Sequence, residues 1–301
     1  MSVTKAFFND AKYDWLNINS DNLEELETLY QEYEISDEVL TYALDRNERA
    51  HLEYDEATQT FFLIYHVPDL EKIDNHYETI PMTFIIKDNH LITVSSDKTD
   101  YVVERMKKFL DNKPDATLFE FLFSSLFLIA KAFFPLVEDV DYERKLVSSK
   151  LKVKTTKKNL LALSDLETGI VYLVSASKQN VVLLEQIKAH SFYRGFSESE
   201  KEQLDDAIIE AKQLVEMTVL ASQILQQLTG SYNNVLNNNL NDTMKILTVL
   251  SLLLTLPTIV TGFFGMNMPL PLEHNPAGWV ISIFISLGLW FVLAFILRGR
   301  I

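Results

Sequence analysis

Cysteine is absent from the 301-residue chain. That excludes a disulfide framework and any thiolate metal site, and it fits a reducing compartment. Basic charge is scarce: 27 Lys and Arg stand against 42 Asp and Glu, for a formal net charge of −15. So acidic a chain lacks the surface that neutralises phosphates and is not expected to bind nucleic acid; it suits cations. Glycine and proline number only eight each, and are nearly missing between Val137 and Thr229, which permits long helices. No glycine-rich phosphate loop occurs, and the six histidines are scattered without an H-x-x-x-H pair. Nothing marks an enzyme. The opening "MSVTKAFFNDAKYDW" lacks the apolar core and small-residue cleavage site of a signal peptide, so the start of the chain is expected in the cytoplasm.

Long apolar runs, by contrast, are present. Met244–Phe264 carries one charge, Lys245 near its start, and Gly278–Leu297 carries none. Each has about 20 residues, enough to cross a hydrocarbon core as a helix. A third run, Leu118–Val137, contains Glu120, Lys131 and Pro135; charge at mid-bilayer is costly, so a buried soluble helix is expected there. Lys245, Arg298 and Arg300 flank the two spans, whereas the loop between them holds Glu273 and no Lys or Arg. The positive-inside rule therefore puts both termini in the cytoplasm and the loop outside.

Before the spans, the pattern mixes helix and strand up to about residue 115. Asp21 and Glu24 in "SDNLEELETLYQEY" form a capping-box pattern, and "SDEVLTYALD" predicts a short helix. "RAHLEYD" and "QTFFLIYHV" have strand composition, and "IPMTFIIKDNHLITVSS" predicts a hairpin turning at Asp88-Asn89. From Asp115 onward the spacing is helical. No strong breaker separates the last soluble helix from the first span, so one helix is expected from near Ser199 to Phe264, with Gly230 a weak point and Pro257 a kink. The expected organisation is an α/β domain over 1–115, a helical stalk over 116–243, a first span over 244–264, a loop over 265–277, a second span over 278–297 and a tail over 298–301.

Alternate steps of three and four residues from Asn241 reach Met244, Thr248, Ser251, Thr255, Thr258 and Gly262. Nearly every polar side chain of the first span lies on this one seam; Thr261 is the exception. Backwards, the same steps give Asn237, Asn234, Gly230, Gln227 and Gln223. A 3.5-residue repeat keeps one face turned toward a common axis. A dry coiled coil would place Leu and Ile there; hydroxyls, amides and glycine point to a water-filled pore. Small-residue packing of spans is the alternative. Met244, with Leu247 beside it, interrupts the seam as a hydrophobic constriction able to gate by dewetting.

Two C-terminal spans, Gly265-Met266-Asn267 at the end of the first, an acidic cytoplasmic domain and a very long pore helix resemble the CorA family of divalent-cation transporters. The resemblance covers the whole chain in organisation. It implies a funnel-shaped homo-oligomer, a pentamer, with an α+β cytoplasmic N-terminal domain, a long helical stalk and two C-terminal transmembrane helices in the plasma membrane. Its function would be channel-like uptake of Mg²⁺, and sometimes Co²⁺ or Ni²⁺, across the lipid bilayer. Gly265, Met266 and Asn267 would form the outer selectivity ring, with Asn267 accepting hydrogen bonds from the hydrated ion. Asn241, Met244, Leu247, Thr255 and Gly262 match pore-facing positions. Ungapped counting back from the motif places a family regulatory carboxylate at Asp206, next to Asp205, where cytoplasmic Mg²⁺ would hold the channel shut. Gly265 would let the backbone leave the helix at positive φ. The chain departs from the family in having Phe264 where a tyrosine is usual, and "NMPLPLEHN" where an acidic Met-Pro-Glu-Leu is usual. A Zn²⁺ carrier of the ZntB type shares this architecture; a membrane-anchored metal sensor or scaffold is the alternative of another class.

Overall fold

The computed structural model describes residues 4–21, 33, 35–45, 48–153, 155–266 and 276–298. Contacts divide the chain into two units, Met1–Thr229 and Gly230–Ile301. In the first unit, a six-stranded sheet comprises β1 (Thr4–Phe8), β2 (Tyr13–Asn19), β3 (His51–Asp55), β4 (Thr60–Pro68), β5 (Thr79–Lys87) and β6 (His90–Ser95), in the spatial order β1-β2-β6-β5-β4-β3. Only β2 and β6 run parallel; the other neighbours are antiparallel. The hairpin expected at Asp88-Asn89 is there, with Lys87 opposite His90 and Asp88 in the left-handed region at φ 53°. β1 and β2 were not foreseen by the sequence pattern. The helix expected in "SDEVLTYALD" is α1 (Asp37–Leu44), capped by the Ser36 hydroxyl accepting from the Val39 amide. Most of the capping-box segment after Asp21 lies outside the described residues.

Both sheet faces are covered, which explains why β4 is one near-continuous apolar run rather than an alternation. On one face Leu16, Ile18, Phe62, Ile64, Ile85, Ile92 and Val94 form a core closed by Ile35 and by Val39 and Tyr42 of α1. The other face receives α3 (Leu118–Val153), against which α2 (Asp100–Asn112) packs. Trp15 and Phe61 meet Phe121 and Phe119 of α3 edge-to-face, with ring centroids 5.3 and 5.9 Å apart. A buried polar chain fixes the parallel pairing. Trp15 Nε1 donates to Thr93 Oγ1 at 3.0 Å, and Thr93 Oγ1 donates to Asn17 Oδ1 at 2.7 Å. A one-residue slip would strand all three in the core.

By length and composition four of the described helices could cross a membrane, α3 among them. Burial separates them. In α3 the apolar stretch is 72% buried, against 6% in α5 (Glu198–Phe264) and 0% in α6 (Gly278–Arg298). The Leu118–Val137 run is thus a core helix, as its charges imply. The fourth, α4 (Lys157–Ala189), runs antiparallel to α5. Lys188 pairs with Asp205 (2.5 Å), Glu185 with Lys212 (2.6 Å), Ser177 with Thr218 (3.1 Å) and Glu167 with Thr229 (3.3 Å).

The first turn of α5 is fastened by two interlocked capping boxes. Thr117 and Glu120 cap α3 reciprocally: the Thr117 amide donates to Glu120 Oε2 and the Glu120 amide to Thr117 Oγ1, at 3.0 and 3.2 Å. Ser197 and Glu200 do the same for α5, at 2.8 and 3.2 Å. Thr117 Oγ1 also donates to Glu200 Oε1 at 2.6 Å, and Ser199 Oγ donates to Glu120 Oε1. Lys113 completes the cluster, 3.1 Å from Glu120. Burial pushes the Glu120 carboxyl up, but the Ser199 hydroxyl, the Thr117 amide and the Lys113 ammonium outweigh it and leave the group below its ordinary range. A carboxylate depressed in the folded state stabilises above its unfolded pKa, and the contribution is lost as pH falls through the folded value. Glu120→Ala is therefore expected to cost about 2–3 kcal/mol near neutral pH, read as a lowered unfolding midpoint in detergent. The gap to the parent should close on acidification below about pH 4; a gap constant with pH would show that the carboxylate's charge plays no part.

Candidate functional site

α5 carries an exposed seam far longer than the span. Continued below Gln223, the three-four steps reach Leu220, Glu216, Gln213, Ile209, Asp206 and Glu202. Every position from Glu202 through Asn241 to Gly262 is exposed. On the opposite side Leu204, Ala207, Ala211, Leu214, Thr218 and Leu225 follow the same spacing and are buried. The repeat is thus written twice, once as contact with the sheet-bearing unit and once as an open face. From Gln223 to Gly262 the seam holds no charged residue; the carboxylates begin at Glu216. Asp206 thus lies on the seam, five steps of the same spacing below Gln223.

Within the second unit one face of α5 is covered. Val260 is buried, and Val249, Leu253, Leu256, Pro257 and Phe264 are partly so. At about 100° per residue these positions cluster roughly 180° from the seam. In α6 the covered positions include Gly278, Ser282 and Ser286, a small-residue spacing that permits close helix approach. Asn241, Met244, Leu247, Thr248, Ser251, Thr255, Thr258 and Gly262 all remain open, with Met244 59% and Leu247 62% exposed. A Cβ on Gly230 or Gly262 would meet nothing within 4 Å.

The three threonines of the seam orient their hydroxyls alike. Thr248 Oγ1 donates to the Met244 carbonyl at 2.8 Å, Thr255 Oγ1 to Ser251 at 2.8 Å, and Thr258 Oγ1 to Leu254 at 3.0 Å. Each hydroxyl hydrogen is spent on the helix's own backbone. What faces outward is oxygen lone pairs, acceptors without a competing donor. Hydrated cations present the complementary surface, because their coordinated waters point hydrogens outward. The single charge of the first apolar run is neutralised locally, with Lys245 3.2 Å from Asp242.

At the upper end the helix stops at Phe264, the expected end of the first span, and two backbone hydrogen bonds follow it. The Gly265 amide donates to the Thr261 carbonyl at 2.9 Å, and the Met266 amide to Phe263 at 3.4 Å. None of the described glycines has positive φ, so the expected left-handed exit at Gly265 is corrected. Proximity is the constraint instead: a Cβ on Gly265 would lie 3.0 Å from the Thr261 carbonyl oxygen. Met266 is exposed, while Asn267 and Glu273 lie outside the described residues.

Asp205 and Asp206 are neighbours with different roles. Asp205 is held by Lys188 on α4, and it raises that lysine's pKa. Asp206 is exposed on the seam, and no ion-pair partner is found for it among the described residues. No group of three or more His, Asp or Glu able to hold a metal occurs among the described residues of one chain. The two aspartates therefore do not make a metal site within a single chain.

A family model described as CorA-like Mg²⁺ transporter protein matches residues 10–298. The cobalt/magnesium transport protein CorA of Methanocaldococcus jannaschii is 25% identical over 300 residues, spanning 97% of this chain and 92% of that protein. The complete structure of the CorA magnesium transporter from the same organism has the same fold, with a TM-score of 0.82 at 23% identity over 99% of this chain and 97% of that one. Full-length CmaX shares the fold at a TM-score of 0.70 and 14% identity, over 95% of this chain and 88% of that one.

Proposed function

Because the chain belongs to the CorA-like Mg²⁺ transporter protein family, we propose that it carries Mg²⁺, with Co²⁺ as a second cargo, through a channel-like pore along the α5 seam. The observation that carries this reading is the uncharged, acceptor-lined seam on the face opposite the covered one. In a homo-oligomer, taken as a pentamer, that face meets its copies around a common axis, while α6 lies on the lipid side. The two apolar helices span the plasma membrane with both termini cytoplasmic and the Gly265-Met266-Asn267 turn outside.

Mg²⁺ dehydrates reluctantly. A pore of neutral oxygen acceptors handles the ion with its water shell and binds weakly enough to release it. Inward movement of a divalent cation gains roughly 4–5 kcal/mol per 100 mV, so no nucleotide site is required. In the cytoplasm, Asp206 carboxylates of neighbouring copies repel until Mg²⁺ screens them, which ties the closed state to the ion's own concentration. Flux of Mg²⁺ into proteoliposomes, with competing Co²⁺ and Zn²⁺, tests the cargo. Saturable Mg²⁺ entry driven by an inside-negative potential is expected; Zn²⁺ entry indifferent to Mg²⁺ would reassign the pore, and no metal entry at all would leave a sensor or scaffold.

Separating the two aspartates tests the gating. Asp206→Asn is expected to raise the cytoplasmic Mg²⁺ needed for half-inhibition by about tenfold, about 1.4 kcal/mol of differential binding. Asp205→Asn, which removes only the Lys188 pairing, should leave it within about twofold. Equal shifts in both variants would remove Asp206 from the sensor.

A further inference from the structure

We propose that the tip of the α3–α4 hairpin docks on an anionic lipid surface, an inference that rests on the membrane reading above. Seven of the 27 Lys and Arg fall between residues 144 and 158, and no Asp or Glu occurs between Glu143 and Asp165. This stretch therefore carries +7 in a chain whose total is −15. Arg144 and Lys145 are consumed locally by Asp141. Lys150, Lys152, Lys157 and Lys158 are exposed, and no ion-pair partner is found for them among the described residues.

Helix electrostatics explains only half of this set. Lys150 and Lys152 sit in the last turn of α3, where a cation complements the helix dipole. Lys157 and Lys158 open α4, whose first turn has no acidic residue, and there the dipole repels them. A positive charge retained where the fold disfavours it answers to something outside the fold. The apolar residues at the tip support the same reading. Val153 is 89% exposed, the most exposed large apolar side chain among the described residues, and Leu161 and Leu146 are 55% and 41% exposed. Lysines interleaved with exposed aliphatic side chains suit a negatively charged interface that also accepts apolar groups.

Direction agrees. Within the first unit, Glu167 of α4 meets Thr229, the last residue of that unit, on the antiparallel α5, so the α4 end that bears Lys157 and Lys158 is the end at which Thr229 lies. The basic end of the first unit is thus the end that holds its C-terminal residue, after which the apolar runs follow in the sequence.

The cysteine-free chain allows a single reporter. Full-length protein with Val153→Cys, carrying an environment-sensitive fluorophore, is reconstituted into phosphatidylcholine vesicles with or without phosphatidylglycerol. A blue shift and quenching by headgroup-attached nitroxide are expected in the anionic vesicles. Both should be lost in neutral vesicles, at high salt, and when Lys150, Lys152, Lys157 and Lys158 are all changed to Gln. Emission indifferent to lipid charge overturns the proposal. Protection that is equal in both vesicle types assigns the tip to a neighbouring copy, and a response to added polyuridylate but not to lipid assigns it to nucleic acid; either result overturns it. Alkaline extraction separates this failure from failure of the membrane reading, since protein stripped from the bilayer denies the spans themselves, whereas retained protein with an indifferent label denies only the docking.

Discussion

Asn267→Ala is expected to abolish Mg²⁺ flux, lowering it by about a hundredfold or more, while the oligomer assembles as before. Two features of the chain underlie this. First, the seam is neutral from Gln223 to Gly262, so in the proposed pore it would supply passage but little discrimination. Second, α5 ends at Phe264 with the Gly265 amide still bonded to the Thr261 carbonyl, and Asn267 follows that last helical turn directly in the sequence. One carboxamide per copy, each worth about 0.5–1.5 kcal/mol as a hydrogen-bond acceptor for coordinated water, sums in a ring to several kcal/mol, and about 2.7 kcal/mol is a hundredfold. Asn267→Asp is the informative companion. A ring of carboxylates binds the divalent ion more tightly and releases it more slowly, so binding should tighten while flux falls. Metal flux in proteoliposomes, with particle symmetry checked on the same samples, reads both effects. Unchanged flux in Asn267→Ala would place selectivity elsewhere, and lost assembly would make the residue structural.

Legibility in the sequence followed the range of the interactions. The Asp88-Asn89 hairpin was readable because its turn and its two strands are contiguous. Leu118–Val137 was readable as a core helix because Glu120, Lys131 and Pro135 are intrinsic to it, although the partners that make Glu120 affordable, Lys113 and Ser199, were not. β2 escaped because Asp14 and Asn17 look like loop residues. They are buried because His90 and Thr93, 76 residues away, satisfy them across the parallel pair. The seam was legible as periodicity, and exposure along α5 extends it to Glu202. What periodicity does not carry is the direction of a hydroxyl hydrogen, and that decides what the seam offers a passing ion. The role given to Gly265 failed for a related reason. Composition says that glycine tolerates positive φ, but it does not say whether the backbone uses that freedom, and here the constraint is the approach to the Thr261 carbonyl.

Met244→Asn is expected to make the pore leak at cytoplasmic Mg²⁺ concentrations that silence the parent, raising residual flux by about tenfold or more. Met244 and Leu247 are apolar positions at the N-terminal end of the first apolar run, with Asn241 before Met244 and Thr248 after it on the seam. Both are more than half exposed in a single chain, so nothing within the chain holds them apart when copies converge on an axis. A ring of such side chains closes by expelling water, and a hydrated ion meets a barrier without any charge being placed in its way. Asparagine restores acceptors at the constriction and keeps it wet. Each 1.4 kcal/mol removed from that barrier is tenfold in rate. Met244→Leu, equally apolar, should gate normally. If both variants leak alike, the effect is one of packing and not of wetting. If neither leaks, closure lies at another level of the seam, and the apolar Leu220, exposed on the same face below, becomes the position to change next.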